Sequence, residues 1–332
     1  MNFTEYKRIA NALKMQPSNK YSTWDNIMQL CLNMYEDNHD YLKYCLKLSK
    51  AVKLSAQRLL LQNRDVRFED LYWQAVKFEA PHLFDSYLLY LERKRLEQDR
   101  FYSPKRKQLN KHGLIQSLQD MEDDKLDILS ISMPPGTQKT TLEKFFCSWI
   151  IGRHPDDFSL FFSHSGDITR MFYDGVMDIT TNSDEYCWQE IFPDVKFHST
   201  NAKRETINFN KYKPFSNIQC TSVGSKNAGK VRANRYLYCD DLIGGIEEAL
   251  NKNILDKLWR IYGTDAKQRK MDGCKEIHIA TRWSVHDVIG RLIDIYEGND
   301  KARFIAIPDI DPVTGESNFD YKYNGFSVDF FH

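Results

Sequence analysis

The sequence lacks net charge, paired cysteines and long apolar runs. Its 46 Lys+Arg balance its 46 Asp+Glu. That excludes a uniformly basic nucleic-acid coat but leaves room for a local basic surface. The seven cysteines, at 31, 45, 147, 187, 220, 239 and 274, form no CxxC pair and no Cys/His cluster with zinc spacing. Odd in number and scattered, they read as reduced, buried thiols. No run approaches the roughly 18 apolar residues of a membrane helix, and the charged start MNFTEYKRIANALKM does not follow the signal-peptide pattern. The expectation is a soluble, intracellular chain with no membrane partner. Internal repeats and low-complexity tracts are absent as well.

What is present is a core: 42% of the 332 residues are apolar, enough for one large domain or two ordinary ones. Residues 1–65 contain no glycine and carry leucines three and four apart, as in DYLKYCLKLSKAVKLSAQRLLLQ. They predict a helical N-terminal segment that packs as an appendage. Helical rhythm continues through APHLFDSYLLYLERKRLEQ, and Pro104 opens a further helix over 104–120. Between Arg93 and Lys111, Lys and Arg outnumber Asp and Glu, a run that reads first as a solvated helix face.

From about residue 126 the texture changes. LDILSIS (126–132), FSLFFS (158–163), RYLYCDD (235–241), KEIHIAT (275–281) and RFIAI (303–307) read as strands, with helical patterns at 141–152, 166–180, 246–270 and 285–297. Such alternation predicts an α/β fold with a mostly parallel central sheet flanked by helices. Residues 192–224 interrupt it with VKFHST, ETINFN and NIQCTSV, which predict a β-meander on the sheet edge. The turn-rich stretch after Pro308 reads as a linker or lid.

Three strand ends carry candidate chemistry. After LDILSIS comes MPPGTQKTTL. A phosphate-binding loop needs a buried strand, N–H groups gathered at the next helix N-terminus, a lysine for the β- and γ-phosphates and a hydroxyl for Mg²⁺. Lys139 and Thr140 stand at that junction, but Met133 and Gln138 replace the two glycines of the pattern. An ordinary strand–turn–helix with a capping threonine is the alternative. RYLYCDD delivers Asp240 and Asp241 to the end of a strand, where the crevice of a parallel sheet lies. Asp240 would hold Mg²⁺ through water, and Asp241 would orient and deprotonate the attacking water; a strand stopping at a polar turn is the alternative. KEIHIAT ends at Thr281, a hydroxyl for the γ-phosphate or the attacking water, or a helix cap. The order decides among these. A Lys-Thr loop, an acid pair about 100 residues on and a hydroxyl-ended strand about 40 further predict a P-loop NTPase of the ASCE type. ATP and Mg²⁺ are then the cofactors, and Pro135, Gly136, Thr137, Gln138, Lys139, Thr140 and Thr141 form the phosphate cradle, with backbone N–H groups of 136–140 as donors.

From about Glu79 to Pro308 the chain resembles the large terminase subunit of tailed bacteriophages. EAPHLFDSYLLYLE, FYSPKRKQL, ILSISMPPGTQKTTL, IIGRHPD, RYLYCDDLIGGIEEALN and IHIATRWSVHDVIGRL look like that family's consecutive blocks. The family's phosphate loop commonly reads Pro-Pro-Arg-x-Gly-Lys-Ser, so lysine and hydroxyl are kept while the arginine and the usual glycine are lost. The resemblance implies an ATPase that drives double-stranded DNA into proheads. Asp240 is then the Walker B magnesium acid, Asp241 stands where relatives carry the catalytic glutamate, and Thr281 falls in the coupling motif. Tyr102, Arg106 and Gln108 are implied adenine contacts. Arg232 is the implied arginine finger for a neighbour in a homo-oligomeric ring, with Arg235 and Arg282 as alternatives. Also implied are the portal protein and the small terminase subunit as partners, the cytoplasm of an infected bacterium as location, and a C-terminal nuclease domain outside this chain. The domain plan is a helical segment over 1–65, an ATPase domain over 66–310 and a linker over 311–332. Competing readings are a degenerate P-loop domain that binds partners without efficient hydrolysis, and another P-loop enzyme such as a helicase or nucleotide kinase.

Overall fold

A computed structural model describes residues 1–225 and 231–331. His332, at the end of the expected linker, and residues 228–230, from the stretch before the expected Walker B strand, lie outside the described residues. The chain divides into two compact units, Met1–Arg93 and Lys94–His332.

The first unit is helical: α1 (Phe3–Lys14), α2 (Tyr21–Asp37), α3 (Leu42–Asn63), α4 (Arg67–Glu79) and α5 (Phe84–Leu91). Helix α1 starts where it does because Asn2 and Glu5 cap each other. The Asn2 side chain accepts from Glu5 N at 2.9 Å, and the Glu5 carboxylate accepts from Asn2 N at 2.9 Å. The apolar stripes of the helices close one core containing Ile27, Met34, Leu48, Val52, Phe68 and Leu71, each such burial contributing about 1.5–3 kcal/mol. Phe68, Leu71 and Ala75 of α4 belong to this core. The helical unit therefore continues to Arg93, past the boundary expected after residue 65.

The second unit holds α6 (Arg106–Lys111), α7 (Leu114–Glu122), β1 (Ile128–Ser132), α8 (Lys139–Arg153), β2 (Ser159–Ser163), α9 (Gly166–Thr181), α10 (Trp188–Ile191), β3 (Phe197–Asn201), β4 (Thr206–Phe209), β5 (Ile218–Ser222), β6 (Tyr236–Asp240), α11 (Ile246–Ala249), α12 (Lys252–Ile261), β7 (Lys275–Ala280), α13 (Val288–Ile295), β8 (Ala302–Ala306) and α14 (Val328–Phe331). The strands form one sheet in the order β3-β4-β5-β2-β6-β7-β1-β8. Pairing is parallel from β5 to β8 and antiparallel at β3–β4 and β4–β5, so the meander sits on the sheet edge. Strands β1, β2 and β6 are buried along their whole length, as expected of parallel strands covered on both faces.

The strand order sets the chemistry. Strands β6, β7 and β1 are adjacent, with Asp240 opposite Ile279 and Ser132 opposite Ala280. The segments after these three strands therefore emerge side by side. At the other edge Glu122 closes the sheet, accepting from Arg235 Nη2 at 2.6 Å, Tyr236 Oη at 3.1 Å, Arg153 Nε at 3.2 Å and His154. All seven cysteines are buried. Among the described residues, no helix is long and apolar enough to cross a membrane.

Candidate active site

The β1–α8 loop is shaped by its prolines and by two left-handed residues. Pro134 and Pro135 have no N–H, so Pro135 adds stiffness and no donor to a cradle. Gly136 has φ +77° and Gln138 φ +63°. The left-handed region favours glycine, so Gln138 adopts the conformation that the glycine of a phosphate loop would adopt more easily. Its side chain is exposed and makes no capping hydrogen bond to α8. Thr137 Oγ1 donates to the Pro134 carbonyl at 2.8 Å, closing the loop on itself. Helix α8 then begins at Lys139, presenting its first-turn N–H groups and the positive end of its dipole to the loop.

The lysine and the threonine face the acids. Lys139 is buried; its Nζ donates to Thr281 Oγ1 at 2.9 Å and lies 3.4 Å from Asp241 Oδ2. Thr281 N donates to Asp241 Oδ1 at 2.9 Å, and Thr281 Oγ1 donates to the Met133 carbonyl at 3.3 Å. Thr140 Oγ1 donates to Asp240 Oδ2 at 2.6 Å. Five candidates from three distant stretches thus meet at the carboxyl ends of three adjacent strands. Asp241 itself has φ +38°. Its carbonyl accepts from His164 Nδ1 at 2.6 Å, which fixes the strand end.

Electrostatically the site is under-neutralised. Asp240 is 1% exposed, and its Oδ1 has no hydrogen-bond partner among the described residues. Burial, then the Asp241 charge, pushes its pKa up to about 7 against the opposing pull of Thr140 and Lys139. Behind it Glu143 is wholly buried with both carboxylate oxygens unpartnered among the described residues. Burial and the charges of Asp240 and Asp241 push this carboxyl well above the usual range, favouring the neutral acid. Sequence reasoning missed Glu143. The available signal was its spacing four residues after Lys139, which puts both on one face of α8.

Other candidates fall elsewhere. Arg232 is exposed before β6, its Nη1 donating to the Gln268 carbonyl at 2.9 Å. It precedes β6, at the opposite end of that strand from Asp240. Arg235 is held in the Glu122 cluster. Arg282 stays near the site but donates from Nε to Asp287 Oδ2 at 2.8 Å. Tyr102 is wholly buried, its hydroxyl accepting from Asn110 Nδ2 at 2.9 Å, so its ring does not line an open face. The Arg106 carbonyl accepts from Asn110 Nδ2 at 2.8 Å. Gln108 Nε2 donates to the Asp320 carbonyl at 3.1 Å. The stretch carrying Asp320 also brings the Phe326 ring to Gly136, 3.6 Å from where a Cβ would stand.

No protein-family model matches the chain, and no curated protein matches it. Among solved structures it is similar to the N-terminal domain of the DNA packaging ATPase from bacteriophage phi29. That likeness has 13% identity and a TM-score of 0.36, over 62% of this chain and 96% of that one.

Proposed function

We propose that the second unit binds ATP on the loop 136–140 and hydrolyses it, as the motor portion of a phage DNA-packaging terminase. The observation that carries the hydrolytic part is the convergence of Lys139, Thr140, Asp240, Asp241 and Thr281 at neighbouring strand ends. The DNA-packaging part is supported by the ordered sequence blocks from Glu79 to Pro308.

The residues fit a magnesium ion. The buried Oδ1 of Asp240 has no hydrogen-bond partner among the described residues, and the Thr140 hydroxyl stands beside the same carboxylate, a donor set that suits Mg²⁺. Thr140 and Asp240 would hold it, and it would neutralise charge on the β- and γ-phosphates. Asp241, within reach of Lys139 and anchored by Thr281 N, serves as the base for the attacking water. Lys139 takes the γ-phosphate charge and returns to Thr281 and Asp241 when the phosphate leaves. Thr281 touches both the lysine and the base, so it is placed to report the phosphate state to β7.

A second reading, binding without turnover, is favoured by Gln138 and by the Phe326 ring at Gly136. Mg²⁺-dependent ATP binding and turnover by the chain, beside Lys139→Ala and Asp240→Ala, separate the two. Turnover lost in both variants supports hydrolysis, and binding without turnover in the unaltered chain supports the second reading. No binding at all, with and without DNA, would falsify both.

A further inference from the structure

The strongest unassigned feature is a polar pocket in the meander, between β4, β5 and the segment 211–216. Its volume is about 310 Å³, and its wall includes Arg204, Asn208, Tyr212, Lys213 and Ser216 but no acidic residue. Strand β4 lies three strand spacings from β6, about 14 Å, so the pocket is separate from the site at Asp240.

One buried cation in this wall has no ion-pair partner among the described residues. Lys213 is 7% exposed; its ammonium donates to Asn217 Oδ1 at 3.0 Å and to the Pro155 carbonyl, both neutral. The neighbouring Asp156 is taken by Lys211 at 3.4 Å, and Lys213 makes no ion pair among the described residues. A buried ammonium hydrogen-bonded only to neutral groups is costly; the charges of Asp156 and Asp157 offset part of that cost, and an anion in the pocket would add to them.

The surroundings point to a phosphate on a polymer rather than a free ion. Residues 195–216 carry five Lys/Arg (196, 203, 204, 211 and 213) against one acid, Glu205, in a chain of zero formal charge. Tyr212 at the pocket is 75% exposed and Phe197 on the open edge strand is 42% exposed, giving flat faces beside the cations for sugar or base. We infer that this pocket seats a backbone phosphate of DNA, with Arg204 and Lys213 as its cations. The choice of duplex DNA rests on the proposed motor function; the phosphate chemistry stands on the pocket.

The test is binding of a random-sequence duplex by the full chain, followed by anisotropy from about 50 to about 200 mM salt. Arg204→Ala, on the surface, should weaken binding roughly 5- to 10-fold and lower the salt slope by about 1, leaving DNA-independent ATP turnover unchanged. Arg204→Lys should restore the slope, and inorganic phosphate should compete with the duplex less well in Arg204→Ala. Equal affinity and slope in Arg204→Ala and in Arg204→Ala/Tyr212→Ala overturns the pocket assignment while leaving the motor reading intact. An unaltered chain that turns over ATP but binds no duplex overturns the DNA reading together with this site.

Discussion

The two edges of the central sheet bury charge to the same degree and treat it oppositely. On the amino edge the buried carboxylates Glu122 and Glu276 both have cationic partners. Burial alone would raise the Glu122 carboxyl, but the His154 hydrogen bond and the charges of His154, Arg235 and Arg153 prevail and hold it down at about 2. Glu276 is likewise lowered by His278 and Lys270, the latter 2.6 Å away, and it accepts from Tyr262 Oη. On the carboxyl edge Asp240 and Glu143 are buried, unpartnered among the described residues in three of their four oxygens, and raised. A fold that completes one set of buried charges and leaves another incomplete separates stability from function within one sheet.

That contrast is open to attack, starting with its largest expected effect. Asp240→Asn should reduce Mg²⁺-dependent turnover by about 100-fold or more while leaving urea stability unchanged or raised by about 1 kcal/mol, because an unsatisfied carboxylate is removed. A stability loss comparable to that of an amino-edge variant would erase the distinction. Glu122→Gln should do the reverse, costing about 3 kcal/mol because Arg235 and Arg153 lose their counter-ion, with nucleotide binding intact in the folded fraction. The sign follows through pH. The folded-state pKa of Glu122 lies below its ordinary 4.5, so its contribution is complete above about 4.5 and drains away as pH falls towards 2, up to about 3 kcal/mol. Acid titration of stability should therefore be flatter in Glu122→Gln across that window. Gln138→Gly should have the smallest effect. Relief of the left-handed backbone, about 1 kcal/mol, is partly offset by glycine's extra freedom when unfolded. A gain below about 1 kcal/mol in denaturation is expected; a loss would mean the Gln138 side chain contributes contacts.

The carboxyl edge was legible in the sequence because strand ends are: short apolar runs stop at polar residues, and β1, β6 and β7 fall within two residues of the runs that predict them. Lys139, Thr140, Asp240, Asp241 and Thr281 inherit their positions from those ends. Glu143 was not legible, since a glutamate inside a helix reads as a solvated face until strands pack over it. Nor was the role of Arg235, because its partner Glu122 lies 113 residues away and only the fold brings them to 2.6 Å. The pattern at 246–270 reads as one helix but breaks, since Asn251 caps a new helix by accepting from Asn253 N at 3.0 Å and Ile254 N at 3.4 Å. The boundary expected after residue 65 failed for a related reason: helical rhythm shows that α4 is amphipathic without showing which core receives it.

Gln138 carries a lesson about detection. A search keyed on letters scores position 138 as a mismatch, because glycine there is a proxy for a torsion angle. The backbone at Gln138 holds a left-handed torsion of that kind, φ +63°. Chains in which a side chain has replaced glycine without changing the backbone would be recovered by combining that angle with a threonine–carboxylate contact across about 100 residues, and would be invisible to the spelling.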